Sequence, residues 1–147
     1  MQVKDVMNTK LELIRPETNA VEAARKMRDG DLGALPVMDE ENVVGMVTDR
    51  DLAIRVLAEG LSPDQVQIQD IMTADVLSCS PEDSLDEAAE LMAELQVRRL
   101  LVMDENKKLV GILSLGDMAL IDESVMTQAM DGIAEKRHDE PGVELNH

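Results

Sequence analysis

Apolar residues recur at helical spacing in two stretches of the chain, at positions 20, 23, 24 and 27 and again at positions 85, 88, 89 and 92. Each stretch opens on a capping pattern, Asn19-Ala20-Val21-Glu22 or Ser84-Leu85-Asp86-Glu87, in which a short polar side chain can accept a hydrogen bond from the amide three residues on. A single apolar stripe of this kind predicts a helix with one buried face. Both helices therefore need another element to pack against.

Short apolar runs after each helix supply that element. Residues 34–38 and 43–47 form one pair of runs and residues 99–103 and 109–113 the other, and each pair is joined by an acidic or Asn-containing turn. Such pairs predict β-hairpins. Before each helix we expect a brief helical turn, at 3–7 or 68–72, and a short strand, at 11–14 or 76–79, that ends at a proline.

Each hairpin leads into a further helix. The first is predicted over residues 49–59 and is closed by Gly60, the residue type that a helix C-terminus favours. Its counterpart is predicted to start near Leu115 and to extend to about residue 137, with a break at 122–124. The last ten residues contain Pro141-Gly142 and few apolar side chains, so we expect them to be frayed.

The pattern occurs twice because the chain contains an internal duplication. A shift of 65 positions pairs residues 37–40 with 102–105, and after one extra residue in the second copy a shift of 66 pairs Asp51 with Asp117. This period is too long, and the copies are too few, for a solenoid. Two small α+β units that bury their open faces against each other are the better interpretation.

The duplication also defines the predicted organisation of the chain. Repeat one covers residues 1–60, a linker covers 61–67 and repeat two covers 68–121. Residues 122–147 are predicted to form a C-terminal helix and an acidic tail. With 147 residues, the two halves can share one core.

The composition restricts how that core and any ligand site are built. The chain has no Phe, Tyr or Trp, but it has eleven Met and is 44% hydrophobic. Aliphatic residues and Met must therefore form the core, since Met fills irregular gaps well. A pocket for a nucleobase would have to work without aromatic stacking.

Charge and cysteine usage exclude several classes of function. A net charge of −17 makes nucleic acid and anionic membrane surfaces poor partners, because binding to phosphate backbones rests on clustered Lys and Arg. The single cysteine, Cys79, excludes an internal disulfide and fits a reducing compartment. There is no apolar run of the length that a membrane span needs. We therefore expect a cytoplasmic protein.

The most informative motif ends each copy. It is Gly45-Met46-Val47-Thr48-Asp49-Arg50-Asp51 in the first and Gly111-Ile112-Leu113-Ser114-Leu115-Gly116-Asp117 in the second. Each motif lies where a strand is predicted to end and a helix to begin. The hydroxyl and the acid three residues on are a capping signature. The same groups can bind a ligand, because exposed amides favour an anion and a carboxylate can accept hydrogen bonds from ribose hydroxyls. The two interpretations are compatible.

The ordered set of motifs resembles a known family. Both copies contain Asp-hydrophobic-Met, Pro-Glu, a capped Ala-Ala helix, Leu-x-Val-Met-Asp-Glu and Gly-h-h-[Thr/Ser]-x-x-Asp, where h is hydrophobic. This set resembles the tandem cystathionine-β-synthase (CBS) domain family, over residues 3 to about 121. The strings Gly-Ala-Leu-Pro-Val and Val-Arg-Arg-Leu are similar to those of stand-alone prokaryotic CBS-pair proteins, including the hypoxic response type.

The resemblance implies a fold and a ligand class. Paired CBS repeats pack by pseudo-twofold symmetry into a Bateman module with two clefts that bind adenosine-containing ligands such as AMP, ADP, ATP, NAD or S-adenosylmethionine. The family's ribose-binding acid corresponds to Asp51 and Asp117, and its phosphate-contacting hydroxyl corresponds to Thr48 and Ser114. The other positions that the resemblance assigns to ligand binding are Glu12, Leu32, Gly33, Leu77, Val97, Arg98 and Arg99. Arg50 either reaches a phosphate or pairs with a neighbouring acid.

The two copies differ around these positions, so we expect two unequal clefts. Gly33-Ala34 in copy one stands where copy two has Arg98-Arg99, and Asp49-Arg50 stands where copy two has Leu115-Gly116. Arginines at this place would face the phosphates of a ligand. The second copy is therefore expected to be the better phosphate site. Because the pseudo-symmetry can combine the turn of one copy with strand positions of the other, the cleft to which Arg98 belongs is left open.

These features predict a regulatory, non-catalytic module with no cofactor beyond a regulatory adenosine ligand. The resemblance further implies a homodimer and an unknown effector protein. The predicted dimer surface consists of leftover apolar helix positions, namely Ile54, Val56, Leu57, Val125, Met126, Ala129 and Ile133. A protein-interaction scaffold without a ligand is the alternative. A small nucleotide-directed enzyme is disfavoured, because no nucleophile, metal set or buried base stands out. His138 and His147 lack ligand partners at metal-site spacing, and Cys79 is predicted to be a small buried hydrophobe.

Overall fold

The structure is a computed structural model that describes residues 1–121 and 130–133. By its contacts the chain divides into two compact units. Residues 10–77 form one of them, which we call the first-repeat unit. Residues 1–9 and the chain from Ser78 onward form the other, the second-repeat unit.

The first-repeat unit contains helix α1 (Ala20–Gly30), the hairpin β1 (Ala34–Asp39) and β2 (Asn42–Thr48), and helix α2 (Asp49–Leu52). The Asn19 side chain caps α1 by accepting a hydrogen bond from the Glu22 amide at 2.9 Å. A π-helical turn, Ala53–Leu57, continues α2, and short 3-10 turns follow at Pro63–Gln65 and Ile68–Asp70. Gly60 has a φ of +69°, as its predicted role at the helix C-terminus requires.

The second-repeat unit repeats this arrangement. It contains a 3-10 turn at Val3–Asp5, strand β3 (Ser78–Cys79), helix α3 (Leu85–Leu95), strands β4 (Arg99–Met103) and β5 (Leu109–Ser114), and helix α4 (Leu115–Ala119). Its three strands lie in the order β3-β4-β5, with β3 parallel to β4 and β4 antiparallel to β5.

Most of the predicted elements are confirmed within one or two residues. The exception is the strand at 11–14, which is reduced to a single parallel bridge between Ile14 and Val37. Of the helix predicted after Leu115, only Leu115–Ala119 and the helical residues 130–133 are described. The predicted break at 122–124 and the predicted frayed end lie outside the described residues.

The opening segment of each sequence repeat packs within the unit formed by the other repeat. Near the N-terminus, the Val3 amide donates to the Asp83 carbonyl at 2.8 Å and the Lys4 amide donates to the Pro81 carbonyl at 3.0 Å. In the other unit, the Ile68 amide donates to the Thr18 carbonyl at 2.8 Å. The boundaries of the sequence duplication and those of the compact units therefore differ.

Aliphatic side chains and methionines form both cores. Leu35, Val37, Val47 and Ile68 are fully buried in the first-repeat unit, and so are Leu100, Leu101, Val102 and Leu113 in the second. Met27, Met92 and Met118 are also buried, as the apolar stripes predict, while Met72 and Met103 are half-buried. Native-like interiors can thus be filled without an aromatic ring.

The predicted dimer surface is wrong at two positions. Val56 is only 4% exposed and belongs to the core of the first-repeat unit, and Ile133 is only 2% exposed. Ile54 and Leu57 do face solvent, at 45% and 79% exposure. Val56 lies four residues after Leu52, which packs against the same core, so the two side chains share the inner face of this helical segment. Val125, Met126 and Ala129 lie outside the described residues.

Candidate functional site

The strand-to-helix turn of the first-repeat unit is a complete capping box. Thr48 ends β2, and its Oγ1 accepts a hydrogen bond from the Asp51 amide at 3.1 Å. In return, the Thr48 amide donates to Asp51 Oδ2 at 2.9 Å. Two backbone donors at the start of α2 are satisfied by these bonds, so the predicted capping role of Thr48 and Asp51 is confirmed.

The Asp51 carboxylate has a second neighbour on its other oxygen. Asp51 is 9% exposed, which makes it the one buried charged residue in the described part of the chain. Arg55 Nε lies 3.8 Å from Asp51 Oδ1, and Arg55 Nη1 donates to the Ile71 carbonyl at 3.0 Å. Arg55 is not among the residues predicted from the sequence, although its place four residues after an acid on a predicted helix was an available signal.

The turn of the second-repeat unit shares only the first of these bonds. Ser114 Oγ accepts from the Asp117 amide at 3.0 Å and caps α4. Within residues 1–121 the Asp117 carboxylate has no returning bond from the Ser114 amide, and Asp117 is half-buried rather than buried. Its oxygens are therefore more available to a ligand than those of Asp51.

The hairpins place a different pair of residues beside each turn. In β4–β5, Arg99 pairs directly with Ser114, whereas in β1–β2 the residue that pairs with Thr48 is Ala34. Arg98 precedes Arg99, and its carbonyl accepts from the Leu115 amide at 2.8 Å. Arg98 and Arg99 are both half-buried. The structure thus brings both arginines next to the Ser114 turn.

The corresponding backbone bond exists in the first-repeat unit, but without the cations. The Asp49 amide donates to the Gly33 carbonyl at 3.0 Å. Leu32 precedes Gly33 and, like Glu12, approaches Gly30: a Cβ added at Gly30 would lie 3.1 Å from Leu32 Cδ1 and 3.9 Å from Glu12 Cγ.

The remaining predicted site residues are less closely assembled. The Glu12 carboxylate lies 3.9 Å from Lys26 Nζ in an exposed pair, and Arg50 is exposed. Val97 is half-buried just before Arg98, in the second-repeat unit. Leu77, which the resemblance places with Val97, is the last residue of the first-repeat unit.

The glycine of each motif has a role that the sequence analysis did not assign. A Cβ on Gly45 would lie 2.7 Å from Met72 Sδ and 2.8 Å from the Thr73 carbonyl oxygen. On Gly111 it would lie 2.7 Å from Met7 Sδ and 3.2 Å from the Asn8 carbonyl oxygen. Each glycine therefore makes room for an opening segment, three residues before the capping hydroxyl.

Cys79 has the buried environment predicted for it. It lies on β3 at 8% exposure, and burial, with a smaller contribution from the charge of Asp83, raises the pKa of the thiol to about 11. A thiol with so high a pKa is almost fully protonated at neutral pH, so Cys79 is a poor nucleophile. In residues 1–121 and 130–133, no cluster of three or more His, Cys, Asp or Glu is arranged to hold a metal ion.

An apolar groove of about 320 Å³ lies apart from the predicted site residues, on the helical side of the first-repeat unit. It is lined by Ala20, Val21, Ala24, Leu52, Ala53, Val56, Leu57, Leu61 and Pro63. Because these side chains offer no polar group to a ribose or phosphate, the groove does not suit a nucleotide.

Comparison with known proteins identifies the family. The CBS domain model matches residues 3–58 and again residues 68–122. The chain belongs to the CBS domain family. It carries two CBS domains, and the α+β fold predicted from the duplicated motifs is confirmed.

Similar proteins include other CBS-domain pairs. The CBS domain-containing protein YhcV of Bacillus subtilis is 41% identical over 118 residues, which cover 80% of this chain and 83% of YhcV. The crystal structure of Hypoxic Response Protein I with two coordinated zinc ions is similar with a TM-score of 0.72 and 33% identity, covering 83% of this chain and 99% of that one. The predicted similarity to the hypoxic response type is thereby confirmed.

One solved neighbour contains bound ligands. It is the CBS domain pair of protein MJ0100 in complex with 5′-methylthioadenosine and S-adenosyl-L-methionine, with a TM-score of 0.75 and 25% identity over 82% of this chain and 94% of that one. The two CBS domains of the present chain form a CBS pair, which is a regulatory type of module. No helix in the described residues has the length and apolarity to cross a membrane.

Proposed function

We propose that this CBS pair binds an adenosine-containing ligand and regulates another protein through it, without catalysing a reaction of its own. The observation that supports this most directly is the turn of the second-repeat unit. There the Ser114 hydroxyl lies at the end of β5, the half-buried Asp117 follows in the first turn of α4, and Arg99 stands opposite Ser114 on β4. A hydroxyl, an acid and a cation are the groups that a ribose phosphate needs.

The chemistry divides between these groups. Ribose hydroxyls are donors, so the Asp117 carboxylate, which can accept several hydrogen bonds, suits them. A phosphate is an acceptor, and guanidinium groups such as those of Arg98 and Arg99 bind phosphate with a planar fork of donors. Val97, just before Arg98, would contribute aliphatic surface to the purine. AMP, ADP, ATP, NAD and S-adenosylmethionine are the candidate ligands, and the complex of MJ0100 with two adenosine compounds supports the class.

The first-repeat unit is proposed to be the weaker phosphate site. Gly33 and Ala34 replace the two arginines, and Asp51 already accepts a hydrogen bond and lies near Arg55. Its candidate ligand residues are Thr48, Asp51, Arg50, Glu12, Leu32 and Gly33. The missing arginines should lower the affinity of an adenosine compound without phosphates less than that of a nucleotide.

The signal is proposed to leave through a homodimer or an effector protein. Ligand binding can shift an equilibrium between two arrangements only by its difference in affinity for them. The exposed Ile54 and Leu57 are the remaining described candidates for a homodimer surface. Adenosine nucleotides are intracellular metabolites, so a cytoplasmic location is part of the same proposal.

The first experiment exploits the lack of aromatic residues. Without Trp and Tyr the protein absorbs almost nothing at 280 nm, so a co-purified adenine nucleotide would be visible at 260 nm. Calorimetric titration with AMP, ADP, ATP, NAD and S-adenosylmethionine then identifies the ligand. If none binds at millimolar concentration, the ligand proposal is wrong and the scaffold alternative gains support.

The second experiment tests the division of roles. Arg99→Ala should weaken AMP binding about tenfold, because a charged hydrogen bond to phosphate is lost, but should leave adenosine binding within about twofold. Asp117→Ala should weaken both. Arg25→Ala, an exposed arginine on α1, is the matched control and should change neither. Equal losses for AMP and adenosine in Arg99→Ala would contradict the phosphate role.

A further inference from the structure

Arg55 connects two parts of the first-repeat unit that are distant in sequence. Its Nε lies 3.8 Å from Asp51 Oδ1. Its Nη1 donates to the Ile71 carbonyl at 3.0 Å and to the Met72 carbonyl at 3.4 Å. One guanidinium therefore faces the candidate ribose-binding acid on one side and the chain at 71–72 on the other.

The chain at 71–72 belongs to the opening segment of the second sequence repeat, residues 68–73, which docks on the first-repeat unit. Its backbone is paired with β2, because the Thr73 amide donates to the Met46 carbonyl and the Met46 amide donates to the Thr73 carbonyl, both at 2.9 Å. Gly45 leaves room for this approach. Beyond residue 73 the chain continues to Ser78, where the second-repeat unit resumes.

The second-repeat unit has the same backbone docking, but its residue at the position of Arg55 is apolar. Asn8 and Ile112 exchange backbone hydrogen bonds at 2.8 and 3.0 Å, as Thr73 and Met46 do. The residue that the duplication aligns with Arg55 is Ile121, whose side chain has no donor. At this aligned position, therefore, the first-repeat unit has a charged side chain and the second-repeat unit has an apolar one.

We propose that Arg55 is a positioning residue that couples the state of the Asp51 carboxylate to the docking of residues 68–73. The carboxylate holds the guanidinium in the orientation in which it bonds the carbonyls of Ile71 and Met72. A ligand whose ribose hydroxyls donate to Asp51 competes for that charge, so the guanidinium is less well oriented and the segment docks less firmly. By reciprocity, a loosened segment favours the ligand. The first-repeat site transmits its occupancy in this way.

The inference rests on the proposed function where it concerns a ligand, but the coupling itself exists without one. It is tested by amide hydrogen exchange on the ligand-free chain, followed at the Thr73 and Met46 amides. Arg55→Ala should speed exchange at both amides about fivefold, which is less than the loss of a fully buried charged hydrogen bond because the side chain is half exposed. Asp51→Asn should speed it about twofold, since Asn keeps an acceptor for the Thr48 amide but removes the charge.

The double variant decides between coupling and two separate structural roles. In the Arg55→Ala background, Asp51→Asn should add nothing. There are two matched controls. Exchange at the Asn8 amide should stay the same in every first-repeat variant, and exchange at the Thr73 amide should stay the same in Asp117→Asn. Unchanged Thr73 exchange in Arg55→Ala, or a full additional effect of Asp51→Asn in that background, would overturn the proposal.

Two further arms keep the test decisive. If Arg55→Ala speeds exchange at Asn8 as well, the fold itself has weakened, and the test is repeated with Arg55→Lys. The lysine keeps the charge but not the planar fork of donors. It should speed exchange at Thr73 and Met46 alone. Saturating AMP should speed exchange at Thr73 and Met46 in the wild-type chain about twofold, as Asp51→Asn does. In Arg55→Ala, AMP should not change these exchange rates. If none of AMP, ADP, ATP, NAD and S-adenosylmethionine binds, the proposed function fails, while the ligand-free cycle still decides the coupling.

Discussion

The two strand-to-helix turns have the same backbone arrangement, but the acid of the motif has a different role in each. In each, a hydroxyl accepts from the amide three residues on, at 3.1 Å for Thr48 and 3.0 Å for Ser114. Asp51 Oδ2 in turn accepts a hydrogen bond from the Thr48 amide, and Asp51 is buried beside Arg55. Asp117, in the described part of the chain, accepts no such bond from the Ser114 amide and is half-buried, while Arg99 pairs with Ser114 across the hairpin. The hydroxyl alone is enough to cap the helix, so in the second copy the acid remains available for a ligand.

The largest expected effect concerns the feature that the two copies have in common, the glycine that receives an opening segment. Gly45→Ala should lower the free energy of unfolding by about 1–3 kcal/mol, because its Cβ would meet a backbone carbonyl oxygen at 2.8 Å. Gly111→Ala should cost less, since the nearest backbone atom is 3.2 Å away and the Met7 side chain can move. Urea unfolding followed by far-UV circular dichroism measures both. Equal effects would show that the two dockings are equivalent.

The next largest effect is a difference in the free energy of unfolding between variants of Asp51 and Asp117. Asp51→Ala should cost about 1 kcal/mol, because it leaves the Thr48 amide without its acceptor at a half-buried place. Asp117→Ala should change stability by less than about 0.5 kcal/mol, because no such bond is lost. The same urea experiment applies to both variants. A cost for Asp117→Ala as large as that for Asp51→Ala would contradict the claim that the second acid is not structural.

The smallest effect has the opposite sign and serves as the control for the glycine variants. Gly116 lies in α4, and a Cβ there would meet nothing closer than Ser114 Oγ at 3.8 Å. Gly116→Ala should therefore raise the free energy of unfolding by about 0.5 kcal/mol through helix propensity. A loss of stability would mean that this turn is more crowded than its contacts indicate.

The sequence predicted the local features of both units well. Asn19 and Ser84 cap their helices as expected, and the hairpins begin and end within a residue or two of the predicted bounds. These features depend on neighbouring residues, so a duplicated sequence specifies them twice. The predicted Thr48 and Ser114 caps belong to the same class.

The features that could not be predicted depend on contacts between distant residues. Nothing in the duplication tells which unit an opening segment joins, and the reason for Gly45 becomes visible only when Thr73 is next to it. Val56 was predicted to lie on a dimer surface as one of the leftover apolar helix positions, whereas it belongs to the core of the first-repeat unit. The ligand roles of the site residues remain predictions, since they depend on a molecule that no local pattern specifies.

The inequality of the two acids is tested most directly by the stoichiometry and affinity of AMP binding, measured by calorimetry on three proteins. We expect one stronger site per chain in the wild type. Its affinity should fall tenfold or more in Asp117→Ala and stay within about twofold in Asp51→Ala. Loss of the stronger site in Asp51→Ala with retention in Asp117→Ala, or equal weakening by both, would contradict this expectation.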